Sequence, residues 1–96
     1  MNEIWFLLDA MHRIPYYSPM PTLLIKDGFK FFFYANEHLP MHIHVVKGNG
    51  YANINLTTLA VTENYFKASE LKRALEITTM HQSEFMGKWY EFFSQG

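Results

Sequence analysis

Three of the chain's five histidines, His38, His42 and His44, lie within seven residues, beside Pro40. Imidazole titrates close to neutral pH, and its ring nitrogens either exchange protons or bind metal ions. If residues 42–47 form a strand, the side chains of His42 and His44 project from the same face, with Cβ atoms roughly 7 Å apart. Two imidazoles so placed can converge on one metal ion or one phosphate group.

A metal site is the first chemistry that this cluster suggests. Zinc takes three or four protein ligands, and imidazole is one of its usual donors. The candidate ligands are the cluster and one histidine of the C-terminal region: His38, His42, His44 and His81. Glu37 and Glu63 are alternative ligands or hydrogen-bond partners of the ligands. A purely structural interpretation also remains open, in which the imidazoles bond to backbone groups at the start of a strand.

The elements that must position these residues are predicted to be strands first and helices afterwards. Asp27-Gly28 and Gly48-Asn49-Gly50 are typical of hairpin turns between strands. Residues 51–56 alternate polar and apolar side chains, which predicts a half-buried antiparallel strand. From about Ala68, apolar residues recur at three- and four-residue spacing, as in an amphipathic helix. We therefore predict an α+β fold: an antiparallel meander of four to five strands followed by one bent or two C-terminal helices.

Ninety-six residues are enough for one domain with one modest core. Pro15, Pro19 and Pro21 interrupt regular structure early in the chain, so residues 1–19 are predicted to be an N-terminal extension and residues 20–96 a single α+β domain. Aromatic residues make up 18% of the chain, which is difficult to hide in so small a domain. A protein partner or a homo-oligomer is therefore expected to cover some of this surface.

The charge balance and the absence of certain residues exclude several classes of protein. The formal net charge is −1, which does not support a broad surface for nucleic-acid phosphates, although a small nucleotide site stays open. There is no cysteine, so neither disulfides nor thiolate metal sites can form. The apolar run at residues 4–8 is too short to span a membrane and lacks the features of a signal peptide. We expect a cytoplasmic protein without a membrane segment.

Residues 37–44, with the order Glu-His-Leu-Pro-Met-His-Ile-His, carry a resemblance to a known family. Apolar strands precede this segment, and His81 and Trp89 follow it near the C-terminal end. With these features, the chain resembles a family of short bacterial proteins of unknown function. The signature of that family is Asp/Glu-His-x-Pro-Pro-His-Phe-His. The resemblance covers about residues 20–93. The chain departs from the family at Met41, where a second proline is usual, and at Asn53 and Asn55, in a strand that often carries an acid.

The resemblance implies a small protein that belongs to a paired system, because members of this family are suspected toxin–antitoxin components. It places the recurrent polar residues of the family on His38, His42, His44 and His81. The first hypothesis is then a binding component of such a pair, with the aromatic sheet face or Trp89 and its C-terminal neighbours as the interface. The second is a small hydrolase acting on RNA or a nucleotide, with His42 and His44 as catalytic acid and base. The third is a zinc-binding domain.

Overall fold

The computed structural model describes residues 19–93 of the chain, and the side chains of residues 22–93. Five antiparallel strands form one sheet in the order of the chain, and two helices follow. The strands are β1 (Pro19–Lys26), β2 (Phe29–Tyr34), β3 (His42–Lys47), β4 (Gly50–Asn55) and β5 (Val61–Asn64). The helices are α1 (Ala68–Met80) and α2 (Gln82–Phe93). This confirms the predicted α+β meander, with five strands and two separate helices.

The predicted domain boundary falls at the edge of the described residues. Pro19 begins β1, and the rest of the predicted extension, residues 1–18, lies outside the part of the chain that the structure describes. The division at residue 19 therefore stays a prediction. Among the described residues, no helix combines the length and the apolar character needed to cross a membrane.

Two tight hairpins set the register of the strands. Asp27 and Gly28 both have positive φ, 54° and 82°, as a two-residue hairpin with the right-handed twist of its strands requires. Gly48, with φ of 58°, turns the chain between β3 and β4. The second hairpin places His44 opposite Asn53 and His42 opposite Asn55. The turn residues thus decide which side chains meet the histidines.

One face of the sheet forms the core with both helices. Along β2, Phe29, Phe31 and Phe33 point into it and are essentially fully buried. Phe31 stacks on Phe85 of α2 with ring centroids 5.6 Å apart, and Phe33 meets Trp89 edge-on at 5.2 Å. Trp89 is only 3% exposed, so it belongs to the core and offers no free surface for a partner.

The second face of the sheet carries the side chains that alternate with the core residues. On β3 these are His42, His44 and Val46, because Ile43 and Val45 point into the core. Phe32 from β2 also lies on this second face, and it is 8% exposed. Aromatic and polar residues therefore surround the two histidines.

Candidate functional site

Glu37 lies at the centre of the candidate site. It is part of the loop that joins β2 to β3, and its side chain folds back over the end of β2. The backbone N–H of Tyr34 donates a hydrogen bond of 2.7 Å to Oε2 of Glu37 and fixes the carboxylate there. The side chain is only 8% exposed. A carboxylate this far from water needs compensating partners, since a buried charge without them is costly.

Those partners are the two imidazoles of β3. Nε2 of His42 lies 2.7 Å from Oε1 of Glu37, and Nε2 of His44 lies 2.7 Å from Oε2. The imidazole rings stand nearly perpendicular to each other with centroids 5.0 Å apart. Within the described residues, these imidazoles are the only groups that form ion-pair contacts with Glu37. Both oxygens of one carboxylate are therefore engaged by two histidines from one strand face.

The backbone determines which ring nitrogen of His42 carries a hydrogen. Nδ1 of His42 lies 2.7 Å from the carbonyl oxygen of Pro40, and a carbonyl oxygen can only accept. Nδ1 is therefore the donor, and in the neutral ring Nε2 has a lone pair directed at Glu37. Two lone pairs 2.7 Å apart repel each other unless a proton or another cation lies between them. This is the arrangement seen in metal-binding histidines, whose second nitrogen is bonded to a carbonyl or carboxylate.

A tyrosine of β4, Tyr51, forms a hydrogen bond with the imidazole of His44. Nδ1 of His44 lies 2.9 Å from the hydroxyl of Tyr51, and the side chain of His44 is 7% exposed. Burial lowers the pKa of His44 below its usual value and outweighs the opposing effect of Glu37. Burial, helped by the carboxylate of Glu63, raises the pKa of Tyr51 to about 12. At neutral pH the ring is therefore uncharged, which is the form that binds metals, and the phenol keeps its hydrogen.

Aromatic rings hold the imidazoles in place. Phe32 stacks on His44 with centroids 5.5 Å apart, and the ring of Tyr34 lies 4.6 Å from it. Trp89 of α2 approaches the ring of His42 at 5.2 Å, so the helix layer also contributes to the site. Rotation of either ring would require repacking of these neighbours.

Glu37, His42 and His44 could together hold a metal ion. One donor atom from each residue lies within 4.8 Å of the others. Two imidazoles and one glutamate form a known ligand set of catalytic zinc. Ligand atoms of a tetrahedral zinc stand roughly 3.3 Å apart when each bond is about 2.0–2.1 Å. The contacts of 2.7 Å are thus somewhat short for a bound ion, and a shift of the carboxylate by under about 1 Å would make room for it.

The other two histidines predicted as ligands lie outside this group. His38 is exposed in the loop after Glu37. His81 lies between the two helices, where Nδ1 is 2.9 Å from Glu84 and the ring stacks on Phe85. The structure therefore brings together His42 and His44 but adds neither His38 nor His81 to them.

Sequence reasoning named Glu37 only as an alternative ligand or a hydrogen-bond partner, and it did not name Tyr51 at all. The signal for Tyr51 was available, because the alternation along β4 places it on the same face as Asn53, which pairs with His44. Glu63, the other candidate carboxylate, is exposed on β5, where its charge helps to raise the pKa of Tyr51 and opposes the lowering of the pKa of His44.

A cleft of about 420 Å³ opens beside Glu37 and His42. Loop residues and the second face of β4 and β5 form its walls: His38, Leu39, Pro40, Asn53, Asn55 and Thr62. An ion held by the three donors would thus stand at the edge of a space that can admit a small molecule.

The chain belongs to a family of proteins that share a domain of unknown function (DUF4160), which matches residues 28–90. The match begins at the first hairpin and ends in α2, so it includes the whole candidate site. Comparisons with curated proteins and with solved structures gave no match.

Proposed function

We propose that this chain is a divalent-metal-binding domain whose ligands are Glu37, His42 and His44. The observation that carries the proposal is the orientation of His42, whose Nδ1 is tied to the Pro40 carbonyl and whose Nε2 faces a nearly buried carboxylate. Two imidazoles and a glutamate without any thiolate suit zinc and ferrous iron, and zinc is the ion used in the tests because it does not change oxidation state. Three protein ligands leave at least one further position on the ion, which a fourth protein donor or a bound molecule can take.

The test is zinc binding by tag-free protein, measured by isothermal titration calorimetry. We expect one ion per chain in the wild type and loss of binding in Glu37→Gln, His42→Ala and His44→Ala. His81→Ala is the matched control, because it removes an imidazole outside the group. Zinc affinity measured for His38→Ala shows whether the exposed loop histidine is a further ligand. Unchanged binding in His42→Ala, with the fold retained by circular dichroism, would rule out the proposed site.

A second candidate function is binding of a protein partner, as half of a paired, toxin–antitoxin-like system. The observation that favours it is the exposure of large apolar side chains: Ile25 and Tyr65 are each 69% exposed and Tyr34 is 47% exposed. Ile25 lies on β1, an edge strand of the sheet, where exposed apolar side chains and unpaired backbone groups can contact a partner. Co-expression with the protein encoded by the adjacent gene tests this function. We expect a complex that Ile25→Glu weakens and that Met80→Glu, an exposed residue of α1, does not.

Direct acid–base catalysis by His42 and His44 has weaker support than metal binding. All four of their ring nitrogens already contact protein oxygens, so none is free to exchange a proton with a nucleotide or RNA. We therefore expect any hydrolysis of RNA or nucleotides by this chain to need the metal. Such an activity should be lost on treatment with a chelator and in His42→Ala and His44→Ala. Activity that survives both changes would refute this expectation.

A further inference from the structure

The side-chain oxygen of Asn53, beside the candidate site, is buried without a hydrogen-bond partner among the described residues. This atom, Oδ1, is inaccessible to solvent. Buried side-chain oxygens nearly always have a hydrogen-bond partner, because an unpaired one has lost its contact with water without compensation. An isolated oxygen of this kind therefore points to a group that the protein binds.

The position of Asn53 indicates which group that is. Asn53 pairs directly with His44 across β3 and β4, and it lines the same cleft as Glu37 and His42. Neighbouring side chains on one sheet face have Cβ atoms about 4.5–5.5 Å apart in such a pair. The side chain of Asn53 thus lies across from His44, in the cleft that Glu37 and His42 also line.

Asn55, two residues further along β4, provides an internal comparison. It pairs with His42 and lines the same cleft. Its Oδ1, however, accepts hydrogen bonds from the backbone N–H groups of Thr57 and Thr58, at 2.8 and 2.9 Å. The turn that follows β4 therefore supplies hydrogen bonds to the side-chain oxygen of Asn55, whereas the oxygen of Asn53 receives none from any described residue.

We infer that Oδ1 of Asn53 is a fourth donor to the ion bound by Glu37, His42 and His44, an inference that rests on the proposed metal site. An amide oxygen has lone pairs and no hydrogen, so a cation satisfies it as well as an N–H donor does. The resulting set of two nitrogens and two oxygens suits divalent ions of the zinc type. It does not suit monovalent copper, which prefers sulfur ligands.

The experiment measures zinc affinity and the cobalt spectrum of two variants of Asn53. Asn53→Leu removes the oxygen at nearly constant size, and we expect the affinity to fall by about 10- to 100-fold. Asn53→Asp keeps an oxygen at the same place and should bind at least as tightly as the wild type. The visible bands of the cobalt-loaded protein, which report the number of ligands, should change in Asn53→Leu and not in Asn53→Asp. Asn53→Ala replaces the leucine variant if that variant does not fold.

The outcomes separate this inference from the proposed function. Wild-type protein that binds no zinc refutes both. Wild-type protein that binds zinc, together with an Asn53→Leu variant of equal affinity and an identical cobalt spectrum, refutes the role of Asn53 alone. A loss of affinity in Asn53→Leu that Asn53→Asp does not share supports it.

Discussion

At the scale of single residues, the chemistry of the site depends on what holds the second nitrogen of each imidazole. The Pro40 carbonyl fixes His42 in one tautomer, whereas the hydroxyl of Tyr51 can either donate to or accept from His44. Tyr51 can therefore donate to Nδ1 while Nε2–H bonds to Glu37, and accept from Nδ1–H once Nε2 binds an ion. The phenol suits both arrangements of the site.

Replacement of this hydroxyl should weaken both the fold and the site. Tyr51→Phe leaves Nδ1 of the buried His44 without a partner, so we expect a loss of about 1–3 kcal/mol in the free energy of unfolding. Zinc affinity should fall by about 10- to 100-fold, as it does when partners of metal-bound histidines are removed. Urea unfolding and calorimetry measure the two effects. Tyr65→Phe, at an exposed ring that stacks on Tyr51, is the control and should change neither.

At the scale of elements, the hairpins and the packing of the segment before α1 hold β3 and β4 in the register that the site needs. Gly50 begins β4 beside the turn, and the ring of Phe66 lies directly against it. Phe66 in turn packs edge-on against Phe29 of β2, with centroids 5.7 Å apart. The absence of a side chain at Gly50 thus lets the segment before α1 close over the sheet.

The same substitution should therefore have opposite effects at two glycines. A Cβ at Gly50 would overlap the ring of Phe66, so Gly50→Ala should destabilise the fold by about 1–3 kcal/mol. A Cβ at Gly87, inside α2, meets no atom within 4 Å. Gly87→Ala should then stabilise the protein by about 0.5–1 kcal/mol, because alanine favours helix. Thermal or urea unfolding decides this, and destabilisation at both glycines would contradict the packing described for α2.

A salt bridge joins the first hairpin to α1. Nε of Arg73 donates to Asp27 at 2.8 Å, and this hydrogen bond lowers the pKa of Asp27 below its ordinary value of 3.8. A carboxyl with a lowered pKa contributes stability above the unfolded pKa and loses it as the pH falls through the folded value. The contribution of this exposed pair should therefore disappear in acid, below about pH 4.

Titration of Asp27 by NMR tests this link between the elements. We expect its midpoint to lie below 3.8 in the wild type and to rise in Arg73→Gln, which removes the guanidinium. Equal midpoints in the two proteins would show that Arg73 does not act on the hairpin.

At the scale of the whole molecule, the proposed ion would join the β2–β3 loop to the sheet, next to the helix layer at Trp89. A ligand that binds only the folded state stabilises it by an amount that grows with its concentration, about 2.7 kcal/mol at 100 times the Kd. The melting temperature of tag-free protein should therefore rise with zinc and return to its starting value with a chelator. His42→Ala should show neither change. A zinc-dependent rise of equal size in this variant would locate binding elsewhere.

Part of this arrangement follows directly from the sequence. Asp27-Gly28 predicts the first hairpin because its turn needs positive φ, and strand alternation alone places His42 and His44 on one face. The position of Glu37 does not follow from any pattern, since it depends on a loop that folds back to the N–H of Tyr34. His81 illustrates the same limit, because its distance from the sheet depends on how α1 and α2 meet. The missing hydrogen-bond partner of Asn53 also could not be predicted, because Asn53 and Asn55 occupy equivalent positions on the strand. Only the folded turn after β4 shows that Asn55 has a partner and Asn53 has none in the described part of the chain.

The most direct test of the metal site is a crystal structure of the zinc-loaded protein with anomalous data collected at the zinc edge. We expect one peak between Glu37, His42 and His44, about 2.0–2.2 Å from the carboxylate oxygen and the two Nε2 atoms. The carboxylate should have moved away from the 2.7 Å contacts that it makes with both rings. A peak elsewhere in the chain, or a well-occupied crystal in which Glu37 still bonds directly to both imidazoles, would contradict it.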